Sequence, residues 1–291
     1  MCAMMLLPNS VHLDESLSGF PTLVIQHPMA YARVALSGGH VMEWQPYGHE
    51  PVLYLSPCSG MQTGVAIRGG IPICWPWFGG RPDNPLLPAH GFARTQLLQL
   101  NRAEETDSGV FLAMGLRENA QTLALWPHPF ALELLVEIGQ QLEVVLVVRN
   151  CGAERIAYSG ALHTYLHTGP INAVQVHGLD GVEYLDTVGA RVSRKQEGNV
   201  VFDREVDRIF RHRDGCCLVD GEKKRKINVA QEGGKDLVVW NPWIEKSLRL
   251  KDLPPDGYLG FVCLEAAHCD VPLIELEPGA QHRLGTRLTV E

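Results

Sequence analysis

Residues 143–152 read Glu-Val-Val-Leu-Val-Val-Arg-Asn-Cys-Gly, a β-branched run that closes in a turn signal. Valine packs well on the pleated surface of a strand, and Asn and Gly favour turns. Similar short apolar runs recur along the chain, at residues 31–36, 52–55, 110–114, 132–138, 142–148, 237–240 and 258–264. With 29 glycines and 19 prolines as breaks, this spacing predicts many short strands rather than alternating strands and helices.

The pattern favours an all-β fold, and we expect one large antiparallel β-sandwich domain over residues 1–291 with few short helices. No repeat, low-complexity tract or Pro/Ser linker interrupts the chain. Residues 118–125 predict one short helix, which ends at Trp126-Pro127. The basic run of residues 223–226 follows Asp220-Gly221 and predicts a solvated hairpin tip.

Charge and cysteine usage limit the kinds of protein this chain can be. Its net charge of -8 argues against non-specific binding to nucleic acid or to an anionic membrane. The eight cysteines are scattered without a Cys-x-x-Cys pair, so we expect reduced thiols rather than disulfides or a zinc framework. No apolar run approaches the roughly 20 residues that span a bilayer, and the N-terminus lacks the basic flank of a signal peptide. These features predict a soluble cytoplasmic protein.

Two glycine-containing segments carry side chains that a plain strand does not need. Residues 67–80 read Ile-Arg-Gly-Gly-Ile-Pro-Ile-Cys-Trp-Pro-Trp-Phe-Gly-Gly. Glycine permits close backbone approach and tryptophan faces suit a sugar ring, although tryptophans that serve the core are an equal alternative. Residues 87–94 place His90 and Arg94 in one turn. Arginine suits phosphate or vicinal hydroxyls, and histidine exchanges protons near neutral pH.

A third segment, residues 161–167, reads Ala-Leu-His-Thr-Tyr-Leu-His. Glycines before and after it confine it to strand length, so His163, Tyr165 and His167 are expected on one face. A helical metal pair of His163 and His167 is rejected for the same reason. This polar row must be satisfied by hydrogen bonds or serve a function.

A fourth segment, residues 260–268, predicts an apolar strand that ends in the carboxylate of Glu265. Such a carboxylate is either solvated, which is the commoner case, or held in a pocket. Residues 205–208 include Asp207 and suggest a surface charge pair.

Taken together, these segments resemble the aldose 1-epimerase superfamily, and within it the hexose-6-phosphate mutarotase branch. The matching segments occur in the family's order: Arg68–Pro76, His90–Arg94, Leu162–Tyr165, Val206–Arg208, Val238–Pro242, Asp256–Tyr258 and Val262–Glu265. The resemblance implies a galactose mutarotase-like β-sandwich with a carbohydrate cleft on a concave sheet face.

The resemblance implies that His163 is the acid that protonates the ring oxygen, and that Glu265 is the base that takes the proton from the anomeric hydroxyl. Interconverting α and β anomers opens the hemiacetal, which requires one acid and one base at C1, expected on its opposite sides and poised near neutral pH. A histidine and a glutamate with tuned pKa values fit that requirement.

The resemblance further implies that His90 and Asp207 bind ring oxygens and that Arg68 and Arg94 receive a phosphate. A phosphate on a chain of net charge -8 needs such local guanidinium groups. The expected substrate is therefore a hexose 6-phosphate, with glucose 6-phosphate first. Members of this branch act without a metal or organic cofactor, and a monomer is expected.

Three other functions stay open at this point. A free-aldose 1-epimerase would use the same acid–base pair without the arginines. A non-catalytic sugar-phosphate sensor would not need both His163 and Glu265. A glycoside hydrolase or lyase would require a second catalytic carboxylate, which the sequence does not single out.

Overall fold

The computed structural model describes residues 6–17, 19–81 and 84–291. In chain order the strands are β1 (Val11–Asp14), β2 (Thr22–His27), β3 (Ala30–Ala35), β4 (His40–Pro46), β5 (Ile73–Cys74), β6 (Gln99–Thr106), β7 (Gly109–Arg117), β8 (Phe130–Gly139), β9 (Gln141–Asn150), β10 (Ile156–Tyr158), β11 (Gly160–Leu162), β12 (Tyr165–His167), β13 (Val174–His177), β14 (Glu183–Asp186), β15 (Val192–Lys195), β16 (Val200–Val201), β17 (Val206–Phe210), β18 (Cys216–Asp220), β19 (Arg225–Glu232), β20 (Asp236–Asn241), β21 (Phe261–His268), β22 (Ile274–Leu276) and β23 (Gln281–Val290). The α-helices are α1 (Ala120–Leu125) and α2 (Trp243–Ser247), and short 3₁₀ turns cover Ala93–Thr95, Ile171–Ala173 and Gly257–Gly260.

Two large antiparallel sheets form the body of the fold. A nine-stranded sheet runs in the order β16-β13-β18-β19-β23-β9-β8-β7-β6. An eight-stranded sheet runs in the order β15-β14-β17-β20-β21-β11-β5, and β12 pairs with β21 beside β11. Strands β1 to β4 form a smaller sheet, and β10 pairs with β22. The predicted all-β antiparallel sandwich is confirmed.

The central strands β20 and β21 of the eight-stranded sheet are buried on both faces, and this burial positions the functional side chains. Along β21, Val262 and Leu264 point into the main core between the sheets. Phe261 and Cys263 alternate with them and join a second apolar cluster on the opposite face. Because side chains alternate along a strand, a polar residue in register with the second set lies on that opposite face.

The predictions of a short helix and of a basic hairpin tip agree with the structure, except at the side chain of Arg225. The predicted helix is α1, which begins two residues later than expected because Asn119 caps it with its side chain. Lys223 and Lys224 of the basic run lie in the tip between β18 and β19, and Arg225 and Lys226 begin β19. Arg225, however, is buried, and its guanidinium donates to the carbonyls of Pro51 and His167. The prediction of a wholly solvated run was therefore wrong at Arg225.

No helix in the described residues is long and apolar enough to cross a membrane. The cysteines within the described residues are free thiols, namely Cys58, Cys74, Cys151, Cys216, Cys217, Cys263 and Cys269. Cys2 lies outside the described residues. The single-domain organisation over residues 1–291 stays a prediction.

Candidate active site

The register of four neighbouring strands places acidic, aromatic and thiol side chains in one row. Asp207 of β17 pairs with Trp240 of β20, and Trp240 pairs with Cys263 of β21. Cys263 in turn pairs with Tyr165 of β12. Glu265 lies two residues further along β21 and therefore on the same face, opposite Val238.

His163 lies where the strand neighbouring β21 is interrupted. Strand β11 ends at Leu162 and β12 begins at Tyr165, and the backbone N–H of His163 donates to the carbonyl of Pro72 at 3.0 Å. Its Nε2 lies 3.2 Å from Oε1 of Glu265. The interruption thus brings His163 into direct contact with Glu265.

Both members of this pair are buried, and burial shifts them in opposite directions. His163 is 7% exposed and Glu265 is 1% exposed. Desolvation lowers the pKa of His163 well below its usual 6.5, and the nearby His90, Arg68 and Arg94 add to this effect. Desolvation raises the pKa of Glu265 well above its usual 4.5, with a further contribution from the charge of Asp207. The pair is therefore held close to a neutral state.

His90 stands at the entrance to this pair in a backbone conformation that few non-glycine residues adopt (φ 64°). Its ring lies edge-on to the His163 ring, with centroids 5.8 Å apart, and edge-on to Phe78. The backbone N–H of Gly79 donates to its Nδ1 at 3.3 Å, so the ring hydrogen resides on Nε2. Desolvation and the charge of Arg94 lower the pKa of His90 to about 3, so His90 is a neutral hydrogen-bond donor.

Arg68 is tied into the site through Tyr165 and Asp252. Its Nη1 donates to the Tyr165 hydroxyl at 2.9 Å, and its Nη2 lies 3.1 Å from Oδ2 of Asp252. Burial opposes the charge, but the contacts with Tyr165 and Asp252 outweigh it and raise the pKa of Arg68. The following residue, Gly69, has φ 116°, and a Cβ there would collide with the backbone of Tyr54. The glycine requirement predicted for this segment is therefore real.

Arg94 and Asp207 flank the buried pair and are both partly exposed. Nη2 of Arg94 donates to the Ala89 carbonyl at 2.7 Å. Oδ2 of Asp207 accepts from Nζ of Lys246 at 3.3 Å, and the same ammonium lies 2.9 Å from Glu205. Asp207 is therefore not an isolated surface charge, because Lys246 holds it at the edge of the site.

The structure decides two alternatives that the sequence left open, one for Glu265 and one for the tryptophans. Strand β21 continues to His268, so Glu265 lies inside the strand and is buried rather than solvated. Trp75 is fully buried and packs edge-on against the core rings of Phe92 and Phe130. Trp77 is 5% exposed. Trp75 and Trp77 therefore pack in the core rather than presenting a face to a sugar ring. Loops and the second sheet cover them.

His167 keeps the face of β12 that Tyr165 uses, as expected, because the two residues are two apart on one regular strand and pair with Cys263 and Phe261. The His163 and Tyr165 rings stack at 4.8 Å with an interplanar angle of 13°. His167 lines a separate cavity with Trp44 and Tyr54. Its register partner Phe261 lies four residues before Glu265 on β21, so His167 stands further along the sheet than the His163–Glu265 contact.

Sequence reasoning missed three residues that complete the site. Tyr165 stacks on His163, Lys246 holds Asp207, and Asp252 holds Arg68. Tyr165 was visible in the matched segment Leu162–Tyr165, but Lys246 and Asp252 lie outside every matched segment. Only the folded arrangement brings the last two to their partners.

One set of side chains within the described residues has the spacing of metal ligands. Donor atoms of His163, Cys263 and Glu265 all lie within 4.8 Å of one another, and all three residues are buried. His and Cys with one carboxylate form a donor set that suits zinc.

A second concave surface lies on the nine-stranded sheet and contains none of the six candidate residues. It is a groove of about 740 Å³ whose lining includes Arg117, Glu133 and Arg149. No aromatic ring lines it, and it has no buried acid–base pair, so it is the weaker candidate for a carbohydrate site.

The sequence model of the aldose 1-epimerase family matches residues 21–289, and the chain belongs to this family. A Salmonella typhimurium protein provisionally named a glucose-6-phosphate 1-epimerase is 36% identical over 89% of this chain and 86% of its own length. An Escherichia coli protein with the same provisional name is 37% identical over 84% of this chain and 82% of its own length. A solved Salmonella typhimurium structure, provisionally described as a mutarotase, superposes with a TM-score of 0.92 at 33% identity and covers 99% of this chain and 95% of the other. The family resemblance read from the sequence is confirmed.

Proposed function

We propose that this chain is a glucose-6-phosphate 1-epimerase, which interconverts the α and β anomers of glucose 6-phosphate. The observation that carries the proposal is the buried contact of 3.2 Å between His163 and Glu265. Family membership and the provisional names of the relatives support it. We further infer a cytoplasmic monomer that requires no metal or organic cofactor and no nucleic-acid or membrane partner.

In the proposed reaction, protonated His163 gives a proton to the ring oxygen while the Glu265 carboxylate takes one from the hydroxyl on C1. The C1–O5 bond breaks, an aldehyde forms, and the enzyme pair becomes neutral. Rotation about C1–C2 and the reverse proton transfers close the ring as the other anomer. Positioned acid–base catalysis of this kind contributes roughly 10²–10⁴-fold for each group.

The contact between His163 and Glu265 alters one part of the expectation from sequence. A sugar ring does not fit between two groups whose atoms lie 3.2 Å apart. The ring oxygen and the C1 hydroxyl are both bonded to C1 and are neighbours, so adjacent groups reach both from one side. The resting pair is neutral, with its proton on Glu265, so the reactive form with protonated His163 is a minor state, and burial favours its return to the neutral form as the ring opens.

The surrounding residues supply binding rather than proton transfer in this proposal. Nε2–H of His90 donates to a ring oxygen, and the Asp207 carboxylate accepts from a hydroxyl. Arg68 and Arg94 bind the phosphate, which would compete with Asp252 for the Arg68 guanidinium. Their charges compensate locally for the acidic chain.

The experiment measures the rate at which the anomers of glucose 6-phosphate approach equilibrium. A β-specific glucose-6-phosphate dehydrogenase, added as coupling enzyme, reports the β anomer. Wild type should accelerate equilibration well above the spontaneous rate, whereas His163→Ala and Glu265→Gln should not. His167→Ala is the matched control, because His167 lies in the same segment but lines another cavity. Equal rates with glucose and glucose 6-phosphate would favour the free-aldose epimerase. Tight binding without acceleration would favour the sensor.

A further inference from the structure

Among the described residues, Cys263 is the thiol that lies within metal-ligand distance of the proposed catalytic groups, and the proposed reaction does not use it. It precedes Glu265 by two residues on β21, so both side chains point to the same face. His163 approaches the same point from the interruption beside β21. Three different donor types, a thiol, an imidazole and a carboxylate, therefore converge from two chain segments.

The spacing of these donors is close to that of a three-ligand metal site. Since no two of the donor atoms are more than 4.8 Å apart, one point lies within about 2.8 Å of all three. Zinc bonds are about 2.0–2.3 Å long for nitrogen, oxygen and sulfur ligands. Each ligand atom must therefore move inward by about 0.5–0.8 Å for an ion in their plane, and somewhat more for a tetrahedral ion above it. A water molecule can supply the fourth ligand of a tetrahedral site.

We call His163, Cys263 and Glu265 the trio. Two of its buried polar atoms, Nδ1 of His163 and Oε2 of Glu265, have no hydrogen-bond partner among the described residues. Buried polar atoms without partners are rare and call for an explanation. Oε2 of Glu265 is free to coordinate without breaking any hydrogen bond in the described structure. The neutral imidazole of His163 is also in the state that binds metals.

The charges of the trio select the kind of cation. A thiolate and a carboxylate carry two negative charges, which a divalent ion neutralises in this water-poor place. Magnesium and calcium require several oxygen ligands, and the trio offers one carboxylate. The sulfur and nitrogen donors favour zinc instead.

We propose that His163, Cys263 and Glu265 bind one Zn²⁺ ion, or a similar borderline-soft divalent cation, and that this ion inhibits the enzyme by competing with the sugar. Coordination releases two protons to solvent, the thiol proton of Cys263 and the one proton that the His163–Glu265 pair holds. The ion occupies His163 and Glu265 directly, so neither can exchange protons with substrate. The inhibition rests on the proposed function, whereas the binding does not.

Metal binding is measured first, by titrating the reduced full-length protein with Co²⁺ as a spectroscopic substitute for Zn²⁺. Wild type should show a thiolate-to-cobalt charge-transfer band, which Zn²⁺ displaces. Cys263→Ala should lose the band and weaken Zn²⁺ binding more than 10-fold, since even outer-shell changes cost about 10–100-fold. Cys74→Ala is the matched control, because Cys74 is equally buried and lies on β5 of the same sheet but is not one of the three donors.

Inhibition is measured second, with glucose 6-phosphate as substrate. Zn²⁺ should raise KM without lowering kcat in wild type and in Cys74→Ala, and Cys263→Ala should resist it while keeping its activity. Glu265→Gln gives a second binding test, because it keeps the thiol but should weaken Co²⁺ binding more than 10-fold. No cobalt–thiolate band in wild type, or an unchanged band in Cys263→Ala, would overturn the site. An inactive wild type would overturn the proposed function, while the cobalt titration would still decide the metal site.

Discussion

The ring of Tyr165 lies parallel to the ring of His163, with centroids 4.8 Å apart, and its hydroxyl accepts a hydrogen bond from Arg68 at 2.9 Å. One side chain thus contacts both the proposed acid and a proposed phosphate ligand. Desolvation raises the pKa of Tyr165, so the hydroxyl stays protonated. Tyr165 therefore acts as a positioning residue between the two parts of the site.

Replacing Tyr165 with Phe should separate these two contacts. The stacked ring remains, but Arg68 loses a hydrogen bond of the charged kind, worth about 1.5–3 kcal/mol. We expect kcat/KM for glucose 6-phosphate to fall roughly 10-fold or more, while kcat/KM for glucose changes little. Tyr158→Phe, which removes a buried hydroxyl bonded to His282, is the control for general destabilisation. Equal losses with both sugars would contradict the link to Arg68.

The activity should depend on pH as a bell-shaped curve set by the His163–Glu265 pair. Ring opening requires one proton on the pair, which rests on Glu265 and lies on His163 in the reactive form. Desolvation lowers the pKa of His163 well below 6.5, so a second proton binds only in acid. Desolvation raises the pKa of Glu265 well above 4.5, so the last proton leaves only at higher pH. The neutral range should therefore lie on the plateau.

The measurement is kcat for glucose 6-phosphate across the pH range, because kcat reports ionisations of the bound complex. The acid and alkaline limbs of the kcat curve report pKa values of the coupled His163–Glu265 pair, not of either residue alone. A single limb centred on the ordinary histidine value would contradict the coupled arrangement. The spontaneous rate at each pH is the baseline.

The sequence predicted the strand content and the order of the site segments, because both depend on local patterns. The β-branched run at residues 143–152 is part of β9 and its turn. The burial of Glu265 could not be predicted, since it depends on loops and on the register of β21 with its neighbours. The ion pair of Arg68 with Asp252 could not be predicted either. Asp252 lies in a loop far away in the sequence, and no local sequence pattern marks it as a partner.

Glu265 should lower the stability of the fold as pH rises. Its pKa is raised in the folded state, so the folded protein holds a proton that the unfolded chain releases above about pH 4.5. The stabilising contribution of this proton is complete below that pH and is lost as pH rises toward the folded pKa, by up to about 1.4 kcal/mol per pH unit. Glu265→Gln stays neutral, so its advantage over wild type should widen with pH.

Urea unfolding of both proteins at about pH 5 and about pH 8 measures this difference. Glu133→Gln, on the outer face of the nine-stranded sheet, is the matched control and should follow wild type at both values. A constant gap between wild type and Glu265→Gln would mean that the carboxyl does not retain its proton in the fold.

Arg94 should decide between phosphorylated and free sugars. Its guanidinium is half-buried and rests on the Ala89 carbonyl, with donors left for a ligand. Arg94→Gln keeps a polar side chain but removes the charge-assisted contact with a phosphate, worth about 1.5–3 kcal/mol. We expect kcat/KM for glucose 6-phosphate to fall roughly 10- to 100-fold through KM, and that for glucose to stay within about twofold. Arg117→Gln, in the groove of the other sheet, removes the same charge at a distance and should leave both values unchanged. If Arg94→Gln weakens both sugars alike, the phosphate is bound elsewhere, and if it lowers kcat for both, Arg94 acts on the acid–base pair instead.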